Sequence, residues 1–345
     1  MQLQKYKSDV LDSLLEIVWQ QWSSLGVSGY GECSDSIVID PESLLLFSAS
    51  IARFDQRLFD EILDWLVTNG RFLNVQRLKT ILHEEEYQST EVIQAIAGEL
   101  SQRSKSDLKW RKLAELKKPN QEATNLFFLK NGNFLPVGTT HDKNFMNYGF
   151  LRNPVVYRGM SKPFPLRKVN SMLLQLRGLM GVNSRSEILL YLLVQKQGTI
   201  QEIADQNYYS WKSVQDVLFE MGHSPAIQFP ESKRGREYYI HAEPWLQMLL
   251  GSPQPDIQWI CWPALFRSLE ILFLQLQAPG FTDLPPLAQA AELKLLMDTK
   301  LNEKFIKAGF GADLGKLAGV WAEEYLEVWG KFLMDLLSKL TRRQW

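Results

Sequence analysis

Short helices with well-marked ends dominate the middle of the sequence, between residues 165 and 222. Apolar residues recur there with the period of a helix, and Gly181 and Gly198 stand where a helix is expected to stop. Thr199 followed by Glu202 forms a capping box, and Ser210 is a good N-cap for the next helix. The pattern predicts four helices, over 165–180, 184–197, 199–206 and 210–221.

A strand, a polar loop and a returning strand are predicted after this helical run. Residues 226–229 and 238–241 have the composition of strands. The loop that joins them carries Lys233, Arg234 and Arg236 around a glycine. The segment is therefore expected to be a basic two-stranded hairpin.

The order of these elements resembles the winged helix-turn-helix superfamily. The segments that carry the resemblance are SRSEILLYLL, TIQEIADQNYYSWKSVQDVLFEMG and the SKRGRE loop, which together span about a sixth of the chain. The stretch GVNSRSEILLYLL is also similar to bacterial transcription-regulator-like proteins. The resemblance implies a transcriptional regulator that binds double-stranded DNA and carries no catalytic residues.

In such a fold the recognition helix, here about 210–221, enters the major groove, and the wing, about 226–241, contacts phosphate or the minor groove. Serine and glutamine can read base edges, whereas lysine and arginine bind guanine or phosphate. Trp211 is expected to pack at the edge of the inner face. The candidate DNA-binding residues are Ser210, Lys212, Ser213 and Gln215 of the recognition helix, Lys233, Arg234 and Arg236 of the wing, and Arg167, Lys168, Arg177 and Arg185.

A second function remains open, because winged helices also dock proteins. Asp216 and Glu220 lie on or near the outer face of the recognition helix and repel phosphate. The chain would then be an adaptor or an antitoxin-like protein whose partner is encoded in the same operon.

Charge is unevenly distributed along the chain, although the formal net charge is only −1. Residues 1–100 carry a net charge of −9, residues 101–142 carry +4, and residues 143–186 carry +8 without a single carboxylate. Such asymmetry indicates either a contact with a polyanion or docking of the acidic part against the basic part.

The fold class predicted for the whole chain is a mainly α, multi-domain helical protein with a central winged helix-turn-helix and small β-hairpins. The predicted domains are an acidic helical domain (1–118), a basic loop-rich connector (119–164), the winged helix-turn-helix (165–250) and a C-terminal helical domain (255–345). Asp40, Asp55 and Asn74 mark helix starts in the first domain, and Asn131-Gly132 predicts a hairpin turn in the connector. We expect the C-terminal helices to form a homodimer or to bind an effector or partner.

Several other classes are disfavoured by the sequence. The four histidines are isolated and lack metal-binding spacing, and no nucleophile motif is present, so neither an enzyme, a metal site nor a cofactor is expected. Cys33 and Cys261 are distant in sequence, which favours reduced thiols in a cytoplasmic protein. No apolar stretch reaches about 18 residues, so no membrane span is predicted.

Overall fold

The computed structural model describes residues 3–29, 31–103, 108–115, 122–223, 237–252 and 256–341, and within them the chain is mainly helical. The helices are α1 (Leu3–Ser24), α2 (Pro41–Ile51), α3 (Gln56–Asn69), α4 (Val75–Glu84), α5 (Thr90–Arg103), α6 (Leu108–Ala114), α7 (Lys143–Asn147), α8 (Met172–Met180), α9 (Ser184–Gln195), α10 (Ile200–Asn207), α11 (Trp211–Met221), α12 (Ala242–Leu250), α13 (Trp262–Gln277), α14 (Pro286–Leu296), α15 (Asn302–Ala308) and α16 (Ala322–Thr341). Two-residue strands are β1 (Thr124–Asn125), β2 (Phe150–Leu151), β3 (Gln197–Gly198) and β4 (Tyr238–Tyr239). Among the described helices, none combines the length and apolar character that a bilayer crossing requires.

Helix starts in the N-terminal third follow the capping residues of the sequence. Asp40 Oδ1 accepts a hydrogen bond from the Ser43 N–H, and Asp55 Oδ1 accepts one from the Leu58 N–H. At the start of α4, the Asn74 side chain accepts a hydrogen bond from the Arg77 N–H. Each bond satisfies a backbone donor that has no partner within its helix. The predicted starts of α2, α3 and α4 are confirmed.

Helices from both ends of the chain share the first hydrophobic core. The rings of Phe47 in α2 and Phe266 in α13 stack with centroids 4.6 Å apart. The Tyr6 hydroxyl of α1 donates to the Gly330 carbonyl of α16 over 3.2 Å. This one cluster contains buried residues from near both ends of the chain, including Tyr6 and Leu340. The boundaries predicted at 118 and 255 therefore do not separate independent cores, because amphipathic helices far apart in sequence bury their apolar faces against each other.

A second core lies inside α8 to α12 and includes the predicted helix-turn-helix. The Glu202 N–H donates to Thr199 Oγ1, and the Thr199 N–H donates to Glu202 Oε2, so the capping box at the start of α10 is formed. Tyr208 adopts the left-handed conformation (φ 61°) in the turn before α11. Strand β3 pairs antiparallel with β4, with Gln197 opposite Tyr239. Residues 224–236, which include most of the predicted wing, lie outside the described residues.

The helix predicted over 165–180 begins later in the structure. Residues Val169–Ser171 form a 3₁₀ turn and α8 starts at Met172, whereas Lys168 is extended and Arg167 has a φ of 58°. Side chains satisfy the carbonyls of this entry segment, since the Ser171 hydroxyl donates to the Pro165 carbonyl and Gln175 Nε2 donates to the Lys168 carbonyl. The prediction from apolar spacing therefore began the helix too early. Residues 165–168 are not helical, and side-chain hydrogen bonds stabilise them in that conformation.

The connector contains two short strands and a tight turn. Strand β1 pairs parallel with β2, and the turn at Asn131-Gly132 brings Phe128 and Phe134 into an antiparallel bridge. Gly132 has a φ of 84°, which explains why glycine stands there. The hairpin turn predicted from Asn-Gly is thus present.

Candidate nucleic-acid interface

Helix α11 buries one face in the second core and exposes the other. Its buried residues are Val214, Val217, Leu218 and Met221, as the sequence predicts. At its first turn the Ser210 hydroxyl accepts from the Ser213 N–H over 3.2 Å and lies 2.9 Å from the Ser213 hydroxyl. Ser210, Lys212 and Ser213 are exposed, and Gln215 is half-buried. The candidate recognition residues of this helix therefore share its solvent side.

Two large aromatic side chains stand on the same solvent side. Trp211 is 46% exposed and Phe219 is 69% exposed. The expectation that Trp211 packs at the edge of the inner face is wrong. Trp211 is exposed and does not belong to the second core, although Val214 and Leu218 beside it on the helix do. The ring of His223, just after α11, lies 4.8 Å from that of Phe219, centroid to centroid.

Two predicted DNA-contacting cations form ion pairs with carboxylates of α11. Lys212 Nζ lies 2.7 Å from Asp216 Oδ1, and Arg185 at the start of α9 pairs with Glu220. All four side chains are more than a third exposed. Exposed pairs of this kind contribute about 0.2–1 kcal/mol, so they open readily. The carboxylates nevertheless remain on the surface that a phosphate would approach.

Arg177 is buried, which corrects its assignment as a DNA contact. Its side chain has 0% exposure. Nη1 and Nη2 donate to the two Glu42 oxygens over 2.7 and 2.8 Å, and Nη2 also donates to Glu187. Burial alone lowers the pKa of this guanidinium, but the two carboxylates outweigh it and raise the pKa above its ordinary value. Arg177 is therefore a structural cation between the two cores.

We use the name ionic cluster for Asp40, Glu42, Arg77, Arg177 and Glu187, all of them buried. Arg77 Nη2 lies 2.6 Å from Asp40 Oδ2, and Arg77 Nη1 lies 3.0 Å from Glu42 Oε2. Arg77 Nε also donates to the carbonyl of Asn207 at the end of α10, over 3.0 Å. The cluster thus connects the N-cap of α2 and helix α4 with α8, α9 and the turn before α11.

The pKa of Asp40 is also shifted by its position in the ionic cluster. Burial raises the pKa of a carboxyl group, but the Arg77 guanidinium and the Ser43 N–H stabilise the carboxylate. The net effect lowers the pKa of Asp40 below its ordinary value. Asp40 is therefore held in its ionised form.

The remaining predicted contacts are divided between the surface and the part of the chain that is not described. Arg167 and Lys168 are exposed in the extended entry to α8, and Lys168 Nζ lies 3.7 Å from Asp35 Oδ1. Lys233, Arg234 and Arg236 lie outside the described residues.

Among the described residues, five long-range ion pairs join the acidic first hundred residues to the basic middle of the chain. They show that the two parts contact each other within the chain and that some of the basic side chains are neutralised there. These pairs are Lys130–Asp12, Arg152–Asp60, Arg158–Glu61, Lys168–Asp35 and Arg177–Glu42. Spacing in sequence could not reveal them, because each pair joins residues that are distant along the chain.

In the described part of the chain, no group of three His, Cys, Asp or Glu side chains is placed to hold a metal ion. Both cysteines are buried, and burial raises the pKa of each thiol to about 11.

Comparisons with protein-family models, with curated proteins and with solved structures find no match for this chain.

Proposed function

We propose that this chain is a DNA-binding transcriptional regulator that reads double-stranded DNA with helix α11. The observation that carries the proposal is the outward-facing first turn of α11, where Ser210, Lys212 and Ser213 are exposed together at a helix N-terminus. The sequence of this region resembles the winged helix-turn-helix superfamily, and that likeness supports DNA as the ligand by analogy.

In the proposed complex, α11 enters the major groove by its N-terminal end. The Ser210 and Ser213 hydroxyls and the Gln215 amide can hydrogen-bond base edges. Lys212 and Arg185 exchange their carboxylate partners for phosphate oxygens. The backbone N–H groups of the first turn add a partial positive charge that favours a nearby phosphate. The wing would supply Lys233, Arg234 and Arg236.

A homodimer would give this regulator a two-fold symmetric binding site. Leu287 and Leu295 are exposed on α14 at eight-residue spacing, and Trp321 is 66% exposed nearby, with Lys294 Nζ 4.5 Å from its ring centroid. We propose this surface as the contact between two copies. Light scattering at several protein concentrations tests it, and replacing Leu295 with Glu should leave a monomer.

The DNA proposal is tested by fluorescence anisotropy with labelled genomic fragments at about 50 mM salt, where phosphate contacts are strong. Lys212→Ala should weaken binding. Asp216→Asn should strengthen it, because the substitution removes a charge that repels phosphate. Lys331→Ala, on the exposed side of α16, is the matched control and should bind like wild type. Failure of the wild-type protein to bind any fragment refutes the proposal.

A second candidate function is docking of a protein partner on α11, as in an adaptor or antitoxin-like protein. Exposed aromatic residues are enriched at the energetic centres of protein interfaces, and Trp211 and Phe219 are both exposed on this helix. The ion pairs of Lys212 and Arg185 also make the helix less attractive to a polyanion.

The second candidate is tested by co-expression with the product of the neighbouring gene, followed by nuclease treatment and purification. A complex that survives nuclease and is lost on Trp211→Ser favours protein docking. A complex that is unaffected by Trp211→Ser and Phe219→Ser contradicts docking on α11.

A further inference from the structure

A cavity of about 330 Å³ lies between helix α3 and the extended segment 153–158. Carboxylates and guanidinium groups both line it, together with an apolar wall from Pro154 and Val156. The charged lining residues are Arg57, Asp60, Glu61, Asp64 and Arg158. The volume is suited to a small molecule rather than to a macromolecule.

Two of the three carboxylates in this cavity already have strong partners. Asp64 accepts from the N–H groups of Gly159 and Ser161, each over 2.9 Å. Asp60 Oδ1 accepts from Arg152 Nη2 over 2.6 Å. Their remaining capacity to bind a ligand is therefore limited, and the cavity does not offer a set of open carboxylates for a metal ion.

Glu61 differs from these two residues. It is only 4% exposed, and its Oε2 has no hydrogen-bond partner among the residues that the structure describes. Its closest cation is Arg158, whose Nη1 lies 3.7 Å from Oε1. Burial without a full partner raises the pKa of Glu61 above its ordinary value. A buried carboxylate oxygen without a hydrogen-bond donor is costly, and Glu61 is one of the residues that line the cavity.

The same cavity presents two exposed guanidinium groups. Arg158 is 61% exposed, and Arg57 is exposed with its guanidinium carbon 5.5 Å from the Trp19 ring centroid. Arginine binds carboxylates through two parallel hydrogen bonds when its partner is planar. A ligand that fills this cavity therefore meets both a carboxylate acceptor and cationic donors among the lining residues.

We propose that this cavity binds a small zwitterion of the α-amino acid class. Its ammonium group donates to the Glu61 carboxylate, and its carboxylate is bound by Arg57 and Arg158. Pro154 and Val156 contact the side chain of the ligand. The site involves none of the residues of α11, so it goes beyond DNA or protein binding by that helix.

The test is isothermal titration calorimetry of the full chain with each of the twenty L-amino acids, up to about 10 mM. We expect at least one of them to bind. For the best ligand, the matched amine without a carboxylate and the matched acid without an amine should each bind at least about tenfold more weakly. No binding by any of the twenty overturns the proposal, and so does equal binding of the amine alone.

Substitutions test whether Glu61 contacts the bound amino acid. Glu61→Gln keeps the shape of the side chain and should weaken binding at least about tenfold, whereas Glu91→Gln, on the exposed side of α5, should have no effect. Without ligand, Glu61→Gln should unfold at the same or a higher denaturant concentration, because the buried charge is removed. If that variant does not fold, Arg158→Gln provides the second test and should selectively weaken binding of the amino acid relative to its amine. Wild-type affinity in Glu61→Gln overturns the proposal.

Discussion

Replacing Arg177 with alanine provides the sharpest test of the ionic cluster. The wild-type guanidinium donates to both oxygens of Glu42, to Glu187 and to the Phe72 carbonyl, and its side chain is fully buried. Alanine would leave two buried carboxylates without this cation. Removing one partner of a buried ion pair costs about 3–5 kcal/mol, compared with a total stability of about 5–15 kcal/mol for a typical domain. We expect a loss of that size.

Equilibrium unfolding in urea, followed by tryptophan fluorescence and circular dichroism, measures this loss. Arg185→Ala is the matched control, because it also removes an arginine from an ion pair, but one at the surface. That control should cost no more than about 1 kcal/mol. A loss in Arg177→Ala as small as that of the control would refute the structural role. Normal stability with impaired DNA binding would instead support the original assignment of Arg177 as a phosphate contact.

Other substitutions test separate parts of the structure. Lys212→Ala should flatten the slope of log affinity for DNA against log salt by about 0.9, the value expected for one lost phosphate contact, as measured by anisotropy at several salt concentrations. Asp40 has a lowered pKa when folded, so its ionised form stabilises the protein above the unfolded pKa of about 3.9 and this contribution disappears as the pH falls through the folded pKa. Urea unfolding of Asp40→Asn should accordingly show a weaker loss of stability towards acid than wild type. Thr199→Ala should lower the free energy of unfolding by about 1 kcal/mol through loss of the α10 capping box. Both thiols should resist Ellman's reagent in the native protein at pH 8 and react after unfolding, because burial raises their pKa to about 11.

Local features of the fold could be predicted from sequence. The capping box at Thr199 predicted a helix over 199–206, and the structure has Ile200–Asn207. A helix was likewise predicted over 210–221, and α11 covers Trp211–Met221. Such features depend on residues three or four positions apart, whose contacts are fixed by helix geometry.

Long-range partners could not be predicted in the same way. Arg177 lies off the apolar stripe of α8, which is also where a solvent-exposed arginine would lie. Its burial depends on Glu42, 135 positions away, and periodicity carries no information about that distance. The unpaired oxygen of Glu61 is equally invisible, since it depends on how segment 153–158 lies against α3. A net charge of −9 in the first hundred residues was the available hint that the basic stretch has partners within the chain.

The packing of α1 against α16 has a consequence for how the protein is made. The apolar face of α1 cannot be covered by α16 until residues 322–341 have been synthesised. At 5–20 residues per second, α1 waits roughly 15–60 s after leaving the ribosome. The core formed by α8 to α12 draws mostly on residues 169–259 and can close earlier. During synthesis, the core of α8 to α12 can therefore close while the side of α1 that packs against α16 is still uncovered.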